Sequence, residues 1–223
     1  MGMSSNLMNI ISMIREGDFR MLLVYILAMA LAMFIAVGAH ESAHGFVAYK
    51  LGDPTAKNMG RISLDPTKHF TLIGALCFFI FGIGWANPVL INPRNLKNYR
   101  RDDILIALAG PFTNLILAFI FYGPYYYVFK YTDNYVLNEV FGYLMTVNMS
   151  FAIFNLIPIP PLDGFHVISS LFIRKGYKVV DFIRRYSFII LLVLLYTGVI
   201  ERIFAFFYVI FIPLFKAFYG LFL

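Results

Sequence analysis

His40 and His44 stand four residues apart with Glu41 between them, near the end of a long apolar run that begins at Met21. On a helix this spacing projects both imidazoles from one face, a turn apart, so that both can bind a single metal ion. A carboxylate beside that ion can take a proton from metal-bound water, whose pKa zinc lowers to about 7, and pass it to a departing amine. His40-Glu41-Ser42-Ala43-His44 thus has the form of the zinc-peptidase signature, which supplies two ligands and a base. Its setting argues against an accidental match. Two of the chain's four histidines bracket a glutamate inside a segment apolar enough for lipid. An ionisable side chain at that depth costs about 2.5–3.5 kcal/mol, so it calls for a partner.

The elements that must hold these groups belong in a membrane. Of the 223 residues 61% are hydrophobic and 13% charged, and the mean hydropathy is +0.77, which excludes an ordinary soluble domain. The net charge of +6 and pI of about 9.4 come from Lys and Arg gathered between apolar runs. That is the positive-inside pattern of a membrane protein, not a nucleic-acid surface. The single cysteine, Cys77, excludes an intrachain disulfide and a cysteine-rich metal site. Zinc here needs His and carboxylate ligands.

In chain order, residues 1–20 read as an interfacial amphipathic segment rather than a signal peptide. A first span follows over residues 21–49 and is ended by Lys50, Gly52 and Pro54. Residues 60–66 and 87–93 carry the alternation and terminal prolines of short strands at the membrane surface. Between them, residues 70–84 are apolar but shorter than the ~20 residues a span needs, so they are expected to be re-entrant. Two further spans occupy residues 104–129 and 138–157, and the apolar runs 186–200 and 203–223 form a C-terminal helical hairpin, or line a substrate entry. The expectation is an all-α polytopic membrane protein with about five transmembrane helices, a re-entrant segment and short surface β-strands. It divides into residues 1–20, a core at 21–174 and the hairpin at 175–223.

The motif leaves a third ligand to be found among Asp65, His69, Asp163 and His166, with Glu139 and Glu201 at span ends. Asp163 is the strongest. It follows Pro158, Pro160 and Pro161, which break the span and free backbone groups that lipid cannot satisfy. A carboxylate at such a break has a functional reading, and His166, three residues on, is its main rival. A re-entrant 70–84 would also bring the end of the third span to the side of the histidines, which the Lys and Arg distribution makes cytoplasmic.

These residues resemble the site-2 protease (M50) family of intramembrane zinc metalloproteases. Beside the His-Glu-Ser-Ala-His motif, the blocks that carry the resemblance are Gly60 through Leu64-Asp65-Pro66, Gly84-Trp85-Ala86-Asn87-Pro88-Val89, Asn92-Pro93-Arg94-Asn95, Ala109-Gly110-Pro111-Phe112-Thr113-Asn114, and Asn155 through Asp163-Gly164. They span roughly residues 38–170 in the family's order, in the compact form without PDZ or CBS domains. The resemblance implies a zinc metalloendopeptidase that performs regulated intramembrane proteolysis, with Zn2+ on His40, His44 and Asp163 and with Glu41 as base. It also implies a role for Asn155 in holding the substrate or its oxyanion. A helical substrate must unwind to be cut. Ile62, Leu64, Val89 and Ile91, on the two strands, are then candidate substrate contacts by strand addition, or only structural.

The expected partners are a transmembrane protein substrate and the lipid bilayer, with no nucleic acid, in a multi-pass protein of a prokaryotic cell membrane. Gly110 and Asn114 read as helix packing, the amide bonding across to another helix. A catalytically silent scaffold or chaperone of the same fold, or a metal transporter, are the competing classes. The intact glutamate and ligand set weigh against the first, and the lack of an internal repeat against the second.

Overall fold

The computed structural model describes residues 3–69, 87–172 and 176–222. Its helices are α1 (Met3–Glu16), α2 (Phe19–Lys50), α3 (Thr55–Asn58), α4 (Tyr99–Tyr131), α5 (Tyr135–Asn155), α6 (Asp163–Phe172), α7 (Tyr177–Tyr196) and α8 (Val199–Tyr219). Helices α2, α4 and α5 each start at a side-chain cap. The Asp18 carboxylate accepts from the Met21 N–H, Asn98 Oδ1 from Arg101 and Asn134 Oδ1 from Leu137, which satisfies donors a helix start leaves free. Gly52, at φ +112°, turns the chain out of α2, and the prolines after Ile157 prevent α5 from continuing.

Helices α2, α4 and α5 pack against one another as a bundle, with fully buried Ala32, Ala36 and Ala118 letting the backbones approach closely. Early α2 lies beside the first half of α5, where Tyr25 and Tyr143 meet edge to face at 5.3 Å. Late α2 lies beside early α4, where His44 meets Ile106. Hence α2 and α5 run one way and α4 the other. Helix α8 traverses the same bundle, from Ile200 packed on Ile157, Ile159 and Leu162 to Tyr219 bonded to the Phe119 carbonyl.

Two expectations change. No strand forms among the described residues. The N–H groups that would make a ladder at 62–64 and 87–92 go to side chains instead: Ser63 N–H to Ser42 Oγ, Val89 N–H to Glu41 Oε2 and Asn92 N–H to Asp53 Oδ2. The span count also falls from five. Among the described residues three helices, α2, α4 and α5, are long and apolar enough to cross a membrane, or four if α7 and α8, bent by 69°, make one span. The pair is bent at Thr197-Gly198 rather than folded into a hairpin, and the first half of α7 carries Lys178, Asp181, Arg184 and Arg185.

Residues 70–84, expected to be re-entrant, lie outside the described residues. Their described flanks are joined, since the Asn87 N–H donates to the His69 carbonyl at 2.6 Å. The chain therefore leaves and rejoins the described structure at one end of the bundle, where late α2, early α4 and the end of α5 also meet.

Candidate metal centre

At that end α2 presents His40 and His44 to the start of α6. The two rings lie edge to face with centroids 4.6 Å apart, and both residues are buried. Asp163 opens α6 just past the proline break, and its Oδ2 lies 3.0 Å from His40 Nε2 and 3.3 Å from His44 Nε2. Within the described residues this trio is the one group of His, Cys, Asp or Glu whose ligand atoms gather closely enough for a metal, all within 4.8 Å of one another.

The proton positions follow from the other ring nitrogens. His44 Nδ1 lies 2.7 Å from the Ile106 carbonyl, which can only accept, so this nitrogen carries the proton. His40 Nδ1 lies 2.7 Å from Asn114 Oδ1. The Asn114 amide cannot be the other way round, because its nitrogen donates to the Ala36 carbonyl at 2.9 Å and to Asn148 Oδ1 at 2.9 Å. Asn148 is held in turn by the Leu144 carbonyl. With each Nδ1 proton committed, both imidazoles direct Nε2 at one carboxylate oxygen that is buried. In the neutral form of the rings these three atoms present lone pairs to one another, which a cation between them satisfies. Two imidazoles and a carboxylate are the three-ligand donor set of a catalytic zinc, which keeps a fourth position for water, so the residues fit the ion.

Glu41 is buried beside this centre, with Oε2 accepting the Val89 N–H at 2.8 Å. The backbone contact fixes one carboxylate oxygen. Asn155, the last residue of α5, donates its Nδ2–H to the Phe151 carbonyl at 3.0 Å, so one donor of its amide is turned back on its own helix.

The rival ligands lie elsewhere. Asp65 is exposed and occupied by Thr67 N–H and Oγ1 within its own turn, and His69 Nε2 donates to the Ser63 carbonyl. His166 pairs with Asp103, with Nδ1 3.5 Å from Oδ1. Glu139 lies near Tyr25 and Tyr143, and Glu201 sits in the first turn of α8. Of the candidate substrate contacts, Ile62 and Val89 turn inward onto Gly45, where their Cγ1 atoms lie 3.2 and 3.4 Å from the place of an added Cβ. Leu64 is exposed and Ile91 half-buried.

Sequence reasoning missed three contributors. The Ile106 carbonyl and the Asn148 amide leave no trace in a motif. Gly110 was legible as a packing glycine, but a Cβ there would sit 2.5 Å from His44 Nε2 and 2.6 Å from His40 Cε1, so its place is the wall of the metal centre. Asn114 does bond across helices as expected, and the acceptor half of its amide fixes the His40 tautomer.

Comparison with known proteins finds relatives that cover most of the chain. A 36% identical relative, "Putative zinc metalloprotease YwhC" of Bacillus subtilis, aligns over 76% of this chain and 80% of its own. "Putative zinc metalloprotease Rip2" of Mycolicibacterium smegmatis is 27% identical over 80% of this chain and 70% of its own. "Putative zinc metalloprotease MJ0611" of Methanocaldococcus jannaschii is 30% identical over 66% of this chain and 71% of its own. No solved structure gives a significant match. The sequence profile of peptidase family M50 matches residues 28–135 and 123–196, a stretch that holds every residue of the centre. With three helices fit to cross a bilayer and most of its length inside that profile, the chain is an integral membrane protein that belongs to peptidase family M50.

Proposed function

We propose that the chain is a zinc metalloendopeptidase that cuts transmembrane protein substrates within the bilayer, with His40, His44 and Asp163 as ligands and Glu41 as base. The observation that carries this reading is the convergence of two oriented Nε2 lone pairs on the orphaned Asp163 oxygen, beside a buried glutamate. Zinc held there supplies Lewis-acid polarisation and a water ligand of pKa about 7. Glu41, fixed through the Val89 N–H, takes the proton of the attacking water and returns it to the departing nitrogen as the C–N bond breaks. Asn155 keeps a second amide N–H for the substrate, and Leu64 and Ile91 are the proposed substrate contacts that stay accessible.

An apolar cavity of about 470 Å³ beside the centre, lined by Val47, Leu108, Phe112, Leu156, Phe207 and Phe211, supports entry of an apolar helix between α4 and α8. The 21–174 core, with residues 1–20 and 175–223 as flanking parts, is the organisation that places every proposed site residue in one unit. Lys50, Lys57, Arg61, Lys68, Arg94, Lys97, Arg100 and Arg101 at the metal end support a cytoplasmic-facing site. Relatives from two bacteria and an archaeon support a prokaryotic membrane.

The test is metal content and cleavage of purified protein in detergent. One zinc per chain is expected, lost in His40→Ala, His44→Ala and Asp163→Ala. Glu41→Gln should keep the zinc and stop proteolysis, because an amide cannot accept the proton. Full zinc in Asp163→Ala with loss in His166→Ala would reassign the third ligand.

A further inference from the structure

Helix α4 carries the hydrogen-bond partners of the metal centre along one face. Asn114, Gly110, Ile106 and Asp103 follow one another at steps of four, four and three residues, which keeps them on one side of the helix. Asn114 takes the His40 proton, Gly110 faces both rings, and the Ile106 carbonyl takes the His44 proton. Asp103 continues that face one turn further out. Its Oδ2 accepts from the buried Ser170 Oγ at 2.6 Å, and its Oδ1 faces His166 Nδ1 at 3.5 Å. The carboxylate is thereby fixed from α6, the helix whose first residue is Asp163.

His166 sits one turn after Asp163 on the same face of α6, where neighbours have Cβ atoms about 5–6 Å apart. Its side chain is 56% exposed, so the ring faces Asp103 through Nδ1 and leaves much of its surface accessible one turn from Asp163. A carboxylate facing Nδ1 requires a proton on that nitrogen, and it raises the imidazole above its ordinary pKa against the opposing effect of burial. In the imidazolium that an ion pair with Asp103 favours, both ring nitrogens are donors. Neither zinc-site imidazole can play this part, since each has its one proton committed to Asn114 or Ile106.

We propose that His166, positioned by Asp103, is a further catalytic residue: its Nε2–H donates a hydrogen bond to the substrate carbonyl oxygen as negative charge develops there. The proposal rests on the metalloprotease reading above. Asp103 acts through His166 as a positioning residue, and Ser170 fixes Asp103.

The experiment compares two probes on the zinc-loaded full chain in detergent. N-phosphoryl-Leu-Phe presents a tetrahedral oxyanion, whereas leucine hydroxamate chelates metal without one. In His166→Gln, zinc content and hydroxamate affinity should be unchanged while the phosphoramidate Kd rises roughly ten- to hundredfold, the value of a hydrogen bond to a charged group. Asp103→Asn should show the same selective loss, and Asp103→Glu should recover part of it. Equal weakening of both probes, no weakening of either, or loss of zinc in His166→Gln overturns the proposal; the last makes His166 a ligand. A wild type that takes up no zinc and binds no hydroxamate instead removes the metalloprotease reading, and the proposal falls with it.

Discussion

Gly110 is the residue at which helix packing and the metal centre make the same demand. Its missing Cβ is the space into which both imidazoles project, and the first atoms an added methyl would meet are ring atoms of His44 and His40 rather than a movable side-chain end. Gly110→Ala should therefore reduce zinc content to background while the helices still insert, as measured by metal analysis and circular dichroism of the same preparation. Asn114 makes a softer demand. Asn114→Leu removes the group that fixes the His40 tautomer and should weaken zinc about 10- to 100-fold, read by competition with a chelator. Full-strength binding in that variant would show that the ring is held by α2 packing alone. At this scale the motif residues and Asp163 were legible, because H-E-x-x-H spacing and a proline break are local signals. Asn148 and Ile106 were not. Which face of one helix meets which residue of another is set by packing across the bundle, and that phase is not written at any single position.

The connection from α2 to α4 shows why alternation misled. Residues 62–64 and 87–92 have in-and-out patterning, but the inward side chains Ile62 and Val89 pack on Gly45 of α2, and the N–H groups are taken by Ser42, Glu41 and Asp53. Extended chain laid along a helix shares a strand's periodicity without its ladder. Asp53 is the clamp. Fully buried, its carboxylate accepts from Thr55 N–H and Oγ1, Asn92 N–H and Asn95 Nδ2, tying the start of α3 and the chain at 92–95 to the end of α2. Burial pushes this carboxyl up, but the hydrogen bonds from Thr55, Asn95 and Asn92 outweigh it and hold it below its ordinary value. A depressed folded pKa stabilises the clamp fully above the unfolded value of about 3.9, and that stability is lost as pH falls toward the folded value. Asp53→Ala, which strands buried donors at about 1–3 kcal/mol, should hasten trypsin cleavage after Arg94 and Lys97 at neutral pH. Wild type should open in the same place only on acidification, where pepsin digestion with peptide mapping reports it. Equal cleavage of both proteins at pH 7 would mean that other contacts hold the connection.

For the whole molecule the decisive relation is that His40, His44 and Asp163 share one end of a bundle in which α2 and α5 run parallel and α4 antiparallel. Counting apolar runs gave that relation only on condition that residues 70–84 do not cross, and the condition came from their length. Those residues lie outside the described structure; their described flanks, His69 and Asn87, are bonded to each other at the metal end. What counting missed was the C-terminus, where Thr197-Gly198 bends the chain by 69° instead of reversing it. Both ends of the connection must then face one compartment. In a Cys77→Ser background, single cysteines at Asn58 and Asn98, at the last residue of α3 and at the cap of α4, should react from the same side with a membrane-impermeant thiol reagent. A cysteine at Asn134, in the turn between α4 and α5, should react only from the other. Applied to right-side-out and inverted vesicles, the reagent should reach Asn58 and Asn98 in the inverted set, where the cytoplasmic face is outermost. Labelling of that pair from opposite sides would break the bundle polarity and separate Asp163 from the histidines. Labelling of both from the outer face would keep the metal centre intact and reverse its orientation, leaving the positive charge at that end to another cause.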